Sequence, residues 1–465
     1  MASAYLERTL EAGSNGKTFT YSVWFKLSNL AGNHTIIGLS SDNNNTKYIE
    51  ACVKANHRMD IQLRNGTSGD NGTYLRRRTN RLFRDVNAWY HFVLRVDSTQ
   101  ASASDRLRVY FNGVEETSWE DSTGTMPQDY VTDLNNSGAD HRLGRGGGSS
   151  SFYMDGLLSH FHLADGQSYG PDTFGETDST TGEWKIKTNP GISTSNYGTN
   201  GFWILKDDNT GTDHSGNSHN FTTSGTITKT EDNPSNVFAT WNPLANGNTS
   251  STALTNGNAT FATPSGGHDF TISTLGMNSG SGKFYCETKV SVNSSFNMIG
   301  ISDHMYQGSN QELSEDNYSY GYYSDGGGGS TSAAVRGNGS AILSSMPNYT
   351  TNDIIGIAID LENHKLYFSK NGTWINSGDP TSGSTGTGAV SIQDLRTVTS
   401  DYGNGVYFFG CGDWHTSSGG TYQCNFGNGY FGTTAVSSAG TNASGIGIFE
   451  YDVPTGYTAL STKGL

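Results

Sequence analysis

The sequence predicts an all-β chain folded as two tandem antiparallel β-sandwiches, and three observations carry that prediction. Charged residues are 15% of the 465 positions, Gly numbers 61 and Pro only 9, so long amphipathic helices have little to be built from. Short stretches of alternating apolar and polar residues recur, separated by Gly, Asn, Ser and Thr. Two of these stretches end in Asn-Gly, at 112–113 and 371–372, the dipeptide that supplies the positive φ angles of a tight hairpin. The length exceeds what one core ordinarily serves. An aromatic content of 11% supplies large side chains for two cores and argues against disorder.

In chain order, residues 17–26 put Phe19, Tyr21, Val23 and Phe25 on one face, as a strand with one side on a core does. Strands follow at 36–40, 48–53, 59–63 and 89–96. Residues 106–111 then run into Asn112-Gly113, and 151–163 supply closing strands, giving a sandwich over 1–170. Residues 171–245 alternate Gly and Asn turns with short apolar touches, and read as an appendage on that sandwich followed by a linker. The break falls at 246–252, a polar run without apolar period, and 246–465 forms the second sandwich. Its clearest passage is 353–374: Ile354, Ile355, Ile357 and Ile359 make a buried strand and 360–363 reverse the chain. Residues 365–369 then alternate as a second strand into Asn371-Gly372. Such a hairpin is marginal alone and needs a second sheet over its apolar face. Further strands are expected at 257–262, 282–289, 296–301, 405–410 and 445–450.

These residues carry resemblances. The run DIIGIAIDLENHKLYFSKNGTW at 353–374, with GKFYCETK at 282–289, NMIGIS at 297–302, CNFG at 424–427 and PTGYTAL at 454–460, resembles the SPRY domain. In the first half, WYHFVL at 89–94, VYFNG at 109–113, LGR at 143–145 and YMDGLLSHF at 153–161 resemble the laminin-G-like or concanavalin-A-like jelly roll. The succession from YLERT at 5–9 to NPSNVFATWNPL at 233–244 resembles a family of marine bacteriophage virion proteins. The resemblance implies a non-enzymatic surface component of the virion, in a tail fibre or on the head. It would bind a host glycan or neighbouring virion proteins, be made in the host cytoplasm and assemble as a homo-oligomer. The alternatives it leaves open are a capsid decoration protein of purely structural role and a glycan depolymerase.

Candidate chemistry is sparse. A net charge of −15, from 43 acidic and 28 basic residues, repels a phosphate backbone and excludes nucleic acid as a partner. The basic run Arg76-Arg77-Arg78 with Arg81 and Arg84 reads either as a solvated strand edge or as a contact for an anionic glycan or protein. The first residues lack the charged start and apolar run of a secretion signal, and no apolar segment is long enough to insert in a bilayer. Cys52, Cys286, Cys411 and Cys424 show no metal-binding spacing, although Cys411 and Cys424 could meet across a hairpin.

Concanavalin-like glycanases need two facing carboxylates. The nearest approach, Glu176 and Asp178 with Glu183 beyond, is interrupted by Ser-Thr-Thr-Gly, so no catalytic residue is expected. His160 and His162 lie two apart on one strand and so share a face, as half a metal site or as a packed pair. Asp207, Asp208 and Asp213 offer the oxygen ligands calcium takes, without the spacing of an EF-hand, and an Asx-rich turn is the plainer reading of the same residues. No other cofactor is expected. Tyr318, Tyr320 and Tyr322 beside Gly326–Gly329, together with Trp374 at a hairpin tip, form the expected ligand-binding surface. An alternating strand beside a loop is the other reading of the tyrosines.

Overall fold

The computed structural model describes the chain except for residues 1–3, 12, 42–45, 67–72, 148–151, 207–209, 247–252, 265–266, 295, 305–312, 325–331, 399–404 and 416–418. It is all-β: the α-helix Thr194–Tyr197 is four residues long, and the strands form antiparallel sheets stacked as sandwiches. No helix among the described residues is long and apolar enough to cross a membrane. The chain divides into two units, 1–229 and 230–465. The division falls inside the 171–245 segment, whose first part belongs with the first unit and whose last part belongs with the second.

In the first unit an eight-stranded sheet runs, in spatial order, Trp119–Asp121, Thr73–Leu82, Arg58–Asn65, Lys47–Val53, His34–Ser40, Asp140–Leu143, Tyr5–Thr9 and Thr222–Ser224. It faces a six-stranded sheet of Phe202–Ile204, Gly156–Asp165, Thr18–Leu27, Tyr90–Asp97, Leu107–Phe111 and Val114–Glu115. Alternation directs Phe19, Tyr21, Val23, Phe25 and Leu27 into the shared core with Ile37, Ile49, Ile61, Phe92 and Phe111. The opposite face of the same strand is also buried, at Thr20, Ser22, Trp24 and Lys26. Part of the 171–229 segment covers this side: the Trp184 indole N–H donates to His91 Nδ1 at 3.0 Å, and His91 stacks on Trp24 at 4.8 Å. Burial lowers His91 to about 3, so the ring is neutral. With Nδ1 accepting, its Nε2–H donates to Ser22 Oγ at 2.8 Å.

The second unit repeats the plan. One sheet runs Trp241–Asn246, Gly267–Ser273, Val406–His415, Asn297–Ser302, Tyr320–Tyr323, Ala333–Gly337 and Ser340–Met346. The other runs Ala253–Thr255, Thr260–Ala262, Thr421–Asn425, Lys283–Val292, Ile354–Asp360, Lys365–Lys370 and Thr373–Trp374. Between them lie Trp241, Phe261, Ile299, Ile355, Ile357, Phe368, Phe409 and Tyr422. Both Asn-Gly turns take the expected conformation, with φ of 48° and 80° at 112–113 and 49° and 78° at 371–372.

Some expectations are corrected. Residues 445–450 form no strand; Ile448 makes an isolated bridge to Asn428, and Phe449 packs beside Tyr285 in a smaller core. Cys411 and Cys424 do not share a hairpin. Cys411 pairs with Thr271 and Ile299 in one sheet, and Cys424 pairs with Thr288 in the other. All four cysteines are free and buried thiols.

Candidate functional site

The expected tyrosine surface is not a surface. Tyr320 and Tyr322 lie in the strand Tyr320–Tyr323, are 5% and 0% exposed, and belong to the second unit's core. Tyr318 is half-buried against that core. Alternation correctly put these rings on one side, but pairing of this strand with Asn297–Ser302 and Ala333–Gly337 turns that side inward. Residues 326–329 lie outside the described residues. Trp374 is half-buried, edge-on to Tyr285 at 6.3 Å and to Tyr367 at 6.5 Å, so its ring serves as packing.

Asp207 and Asp208 lie outside the described residues. Asp213 organises a turn: Oδ1 accepts from the backbone N–H of Trp203 and Ser215, and Oδ2 from Ser215 Oγ and the N–H of His219, all at 2.7–2.9 Å. The bond from the Ser215 N–H to Oδ1 makes an Asx turn, and both oxygens are engaged. His160 and His162 flank a bulge in Gly156–Asp165, with His160 at φ 46°. Both rings lie beside Trp203, at 6.3 and 5.1 Å, and His162 Nδ1 is 3.0 Å from the Tyr197 hydroxyl, so this is a packed pair.

The basic run is internally neutralised. On the outer face of the eight-stranded sheet Arg76 grips Asp60 through Nε and Nη2 at 3.0 and 2.6 Å, Arg78 adds Nη2 at 3.2 Å, and Asp60 is 0% exposed. Burial raises the Asp60 carboxyl, against the pull of Arg76. Glu50 on the same face is held by Lys54 at 3.1 Å. Arg77, on the opposite side of the strand, donates to the carbonyls of Arg76, Thr123 and Gly124. Glu176 and Asp178 share Lys185 in an exposed hairpin, and Asp178 also accepts from the N–H of Thr180 and Thr181. Each of these carboxylates has a cation or a turn to hold, and none faces a partner acid across a groove.

A concave site does exist in the first unit, at a place the sequence reading passed over. After Val114–Glu115, the edge strand of the six-stranded sheet, the chain crosses to Trp119–Asp121, the edge strand of the eight-stranded sheet. This crossing leaves a cleft of about 300 Å³ along the open side of the sandwich. Its floor is apolar: Leu75, Leu107, Met126 and the half-buried Trp119, which leans on the core. Its rim is charged, with Arg108 donating to Asp105 Oδ1 at 2.6 Å and lying 3.3 Å from Glu115 Oε2. The bond from Arg108 holds the Asp105 carboxyl below its usual range. Glu116 accepts from Arg81 Nε and the Ser118 N–H, both at 3.0 Å.

Such a cleft can lay an apolar ring face on Trp119 while Arg108 and Glu115 exchange hydrogen bonds with hydroxyl groups at the rim. The rim carboxylates are each tied to an arginine, an arrangement that suits binding rather than bond cleavage. No single stretch of the sequence signals this site, because it depends on which strands end up at the two sheet edges.

Residues 3–167 match the family described as the Concanavalin A-like lectin/glucanases superfamily. Residues 283–390 match the SPRY domain. The first unit thus contains a concanavalin A-like domain and the second a SPRY domain, both β-sandwiches. No curated protein matches the chain. Among solved structures, the chain is similar to the SPRY domain of human HERC1, with 15% identity over 40% of this chain and 96% of that one, at a TM-score of 0.29. It is also similar to the heptameric SAP-like pentraxin of Limulus polyphemus, with 19% identity over 36% and 71% and a TM-score of 0.24. A third is the Ruminococcus gnavus IT-sialidase CBM40 bound to alpha2,3 sialyllactose, with 11% identity over 37% and 96% and a TM-score of 0.26.

Proposed function

We propose that this chain is a non-catalytic glycan-binding protein whose first unit supplies the binding site. The observation that carries the reading is the cleft between Glu115 and Trp119, where an indole and an apolar floor meet a charged rim inside a segment that matches a lectin-and-glucanase superfamily. A sugar ring presents an apolar C–H face and equatorial hydroxyls, and the cleft offers a counterpart to each. The carboxylates at its rim are tied to Arg108 and Arg81, which supports recognition over hydrolysis.

The setting we propose is the surface of a virus particle, in a tail fibre or on the head, where adhesion to a host glycan or to a neighbouring virion protein is the task. This part rests on the sequence resemblance between 5 and 244. The full chain should retain one class of glycan on an array and release no shortened saccharide from it on prolonged incubation. Absence of any bound glycan, or release of reducing ends, would overturn the reading. Immunogold labelling of intact particles tests the setting separately.

A further inference from the structure

We propose that the second unit holds a divalent transition-metal ion at Asp303, His304 and Asp316. Asp303 and His304 follow the strand Asn297–Ser302, and Asp316 precedes the strand Tyr320–Tyr323. These strands are antiparallel neighbours with Ile301 opposite Tyr320, so their pairing brings the three side chains together. One ligand atom from each lies within 4.8 Å of the others, a span that a single ion with bonds of roughly 2.0–2.2 Å closes with small side-chain adjustments.

A second observation points to a cation independently of the clustering. The Asp303 side chain is 0% exposed, and its Oδ2 has no hydrogen-bond donor among the described residues. A buried carboxylate oxygen without water or donor is costly unless a cation meets it. Neither Asp303 nor Asp316 is paired with a lysine or arginine among the described residues; His304 is the group beside them, with Nδ1 2.5 Å from Asp303 Oδ1 and 3.8 Å from Asp316 Oδ2.

The surroundings hold the ligands in place. Asp316 Oδ1 accepts from the Tyr318 N–H at 2.9 Å and Ser319 Oγ at 2.8 Å, leaving Oδ2 as the oxygen nearer His304. The backbone of His304 is bound on both sides by Ser302 Oγ, at 2.8 and 3.4 Å.

The donor set selects the class of ion. Calcium and magnesium take oxygen ligands, whereas one imidazole with two carboxylates suits zinc, manganese or a related first-row ion. A bound ion would pin the end of one central strand to the start of the next and so stabilise the folded second unit.

The test uses the full chain stripped with a chelator and dialysed against zinc at micromolar free concentration. About one equivalent should be retained by elemental analysis, and zinc should raise the thermal midpoint of one unfolding transition. Asp316→Asn, at a partly exposed position, and His304→Gln should each weaken retention at least about tenfold and abolish the zinc-dependent shift. Calcium should bind at least about tenfold more weakly than zinc. Retention below about a tenth of an equivalent overturns the proposal, and this readout stands even if a variant fails to fold. Retention unchanged in both variants, or calcium bound more tightly than zinc at these residues, overturns it equally.

Discussion

Asp413 is 0% exposed, lies directly opposite Asp269 in the second unit, and accepts hydrogen bonds from Thr263 Oγ1 and the Gly420 N–H. Burial pushes its carboxyl up to about 7, with Asp269 adding to the rise. A raised folded-state value favours the protonated form, so the stabilisation from this group is full below about pH 4 and lost as pH rises through about 7. Asp413→Asn should therefore stabilise the chain by about 2 kcal/mol at pH 8 and by under about 1 kcal/mol at pH 4.5, measured by denaturant unfolding of the second unit's transition. An equal effect at both pH values would contradict the assignment. At this scale the sequence was least legible. The period of two placed Tyr318, Tyr320 and Tyr322 on one side, yet only the neighbouring strands decide whether that side meets core or solvent. Asp213 likewise has the composition of a calcium ligand and the hydrogen bonds of a turn.

Elements were far more legible, because turn chemistry and alternation are local. The passage 353–374 folds as the strands Ile354–Asp360 and Lys365–Lys370, with Asn371-Gly372 at positive φ, because Asn and Gly tolerate that region and the isoleucines fill the core. Gly372 has a second constraint: a Cβ there would come within 2.6 Å of Tyr451 Cδ1. Gly372→Ala should cost about 1–2 kcal/mol, visible as a lower denaturation midpoint without change in secondary structure by circular dichroism. The basic run, one of whose readings was a solvated strand edge, is a strand. Thr73–Leu82 carries Arg76, Arg77, Arg78 and Arg81, which are held by Asp60, Glu116 and backbone carbonyls. A charge-rich strand of this kind hides its ladder from any apolar pattern. Residues 445–450 erred the other way, since Ile446 and Phe449 are apolar touches that pack in a small core without forming a strand, while Ile448 is exposed.

At the scale of the molecule, the two-unit, all-β plan followed from composition, and the recognition site did not. Grooves arise where a chain leaves one sheet edge for another, which depends on the strand order of each sheet rather than on any single stretch. That crossing makes the Trp119 cleft, and it relocates the proposed adhesion from the tyrosines and Trp374 of the second unit to the first. Calorimetric titration of the best array glycan into the full chain, into Trp119→Ala and into Trp374→Ala tests this most directly. The account predicts that Trp119→Ala weakens binding at least about tenfold, the loss of roughly 1.4 kcal/mol or more that stacking on an indole supplies, while Trp374→Ala binds as the parent does. Unchanged affinity in Trp119→Ala, or loss confined to Trp374→Ala, would contradict it.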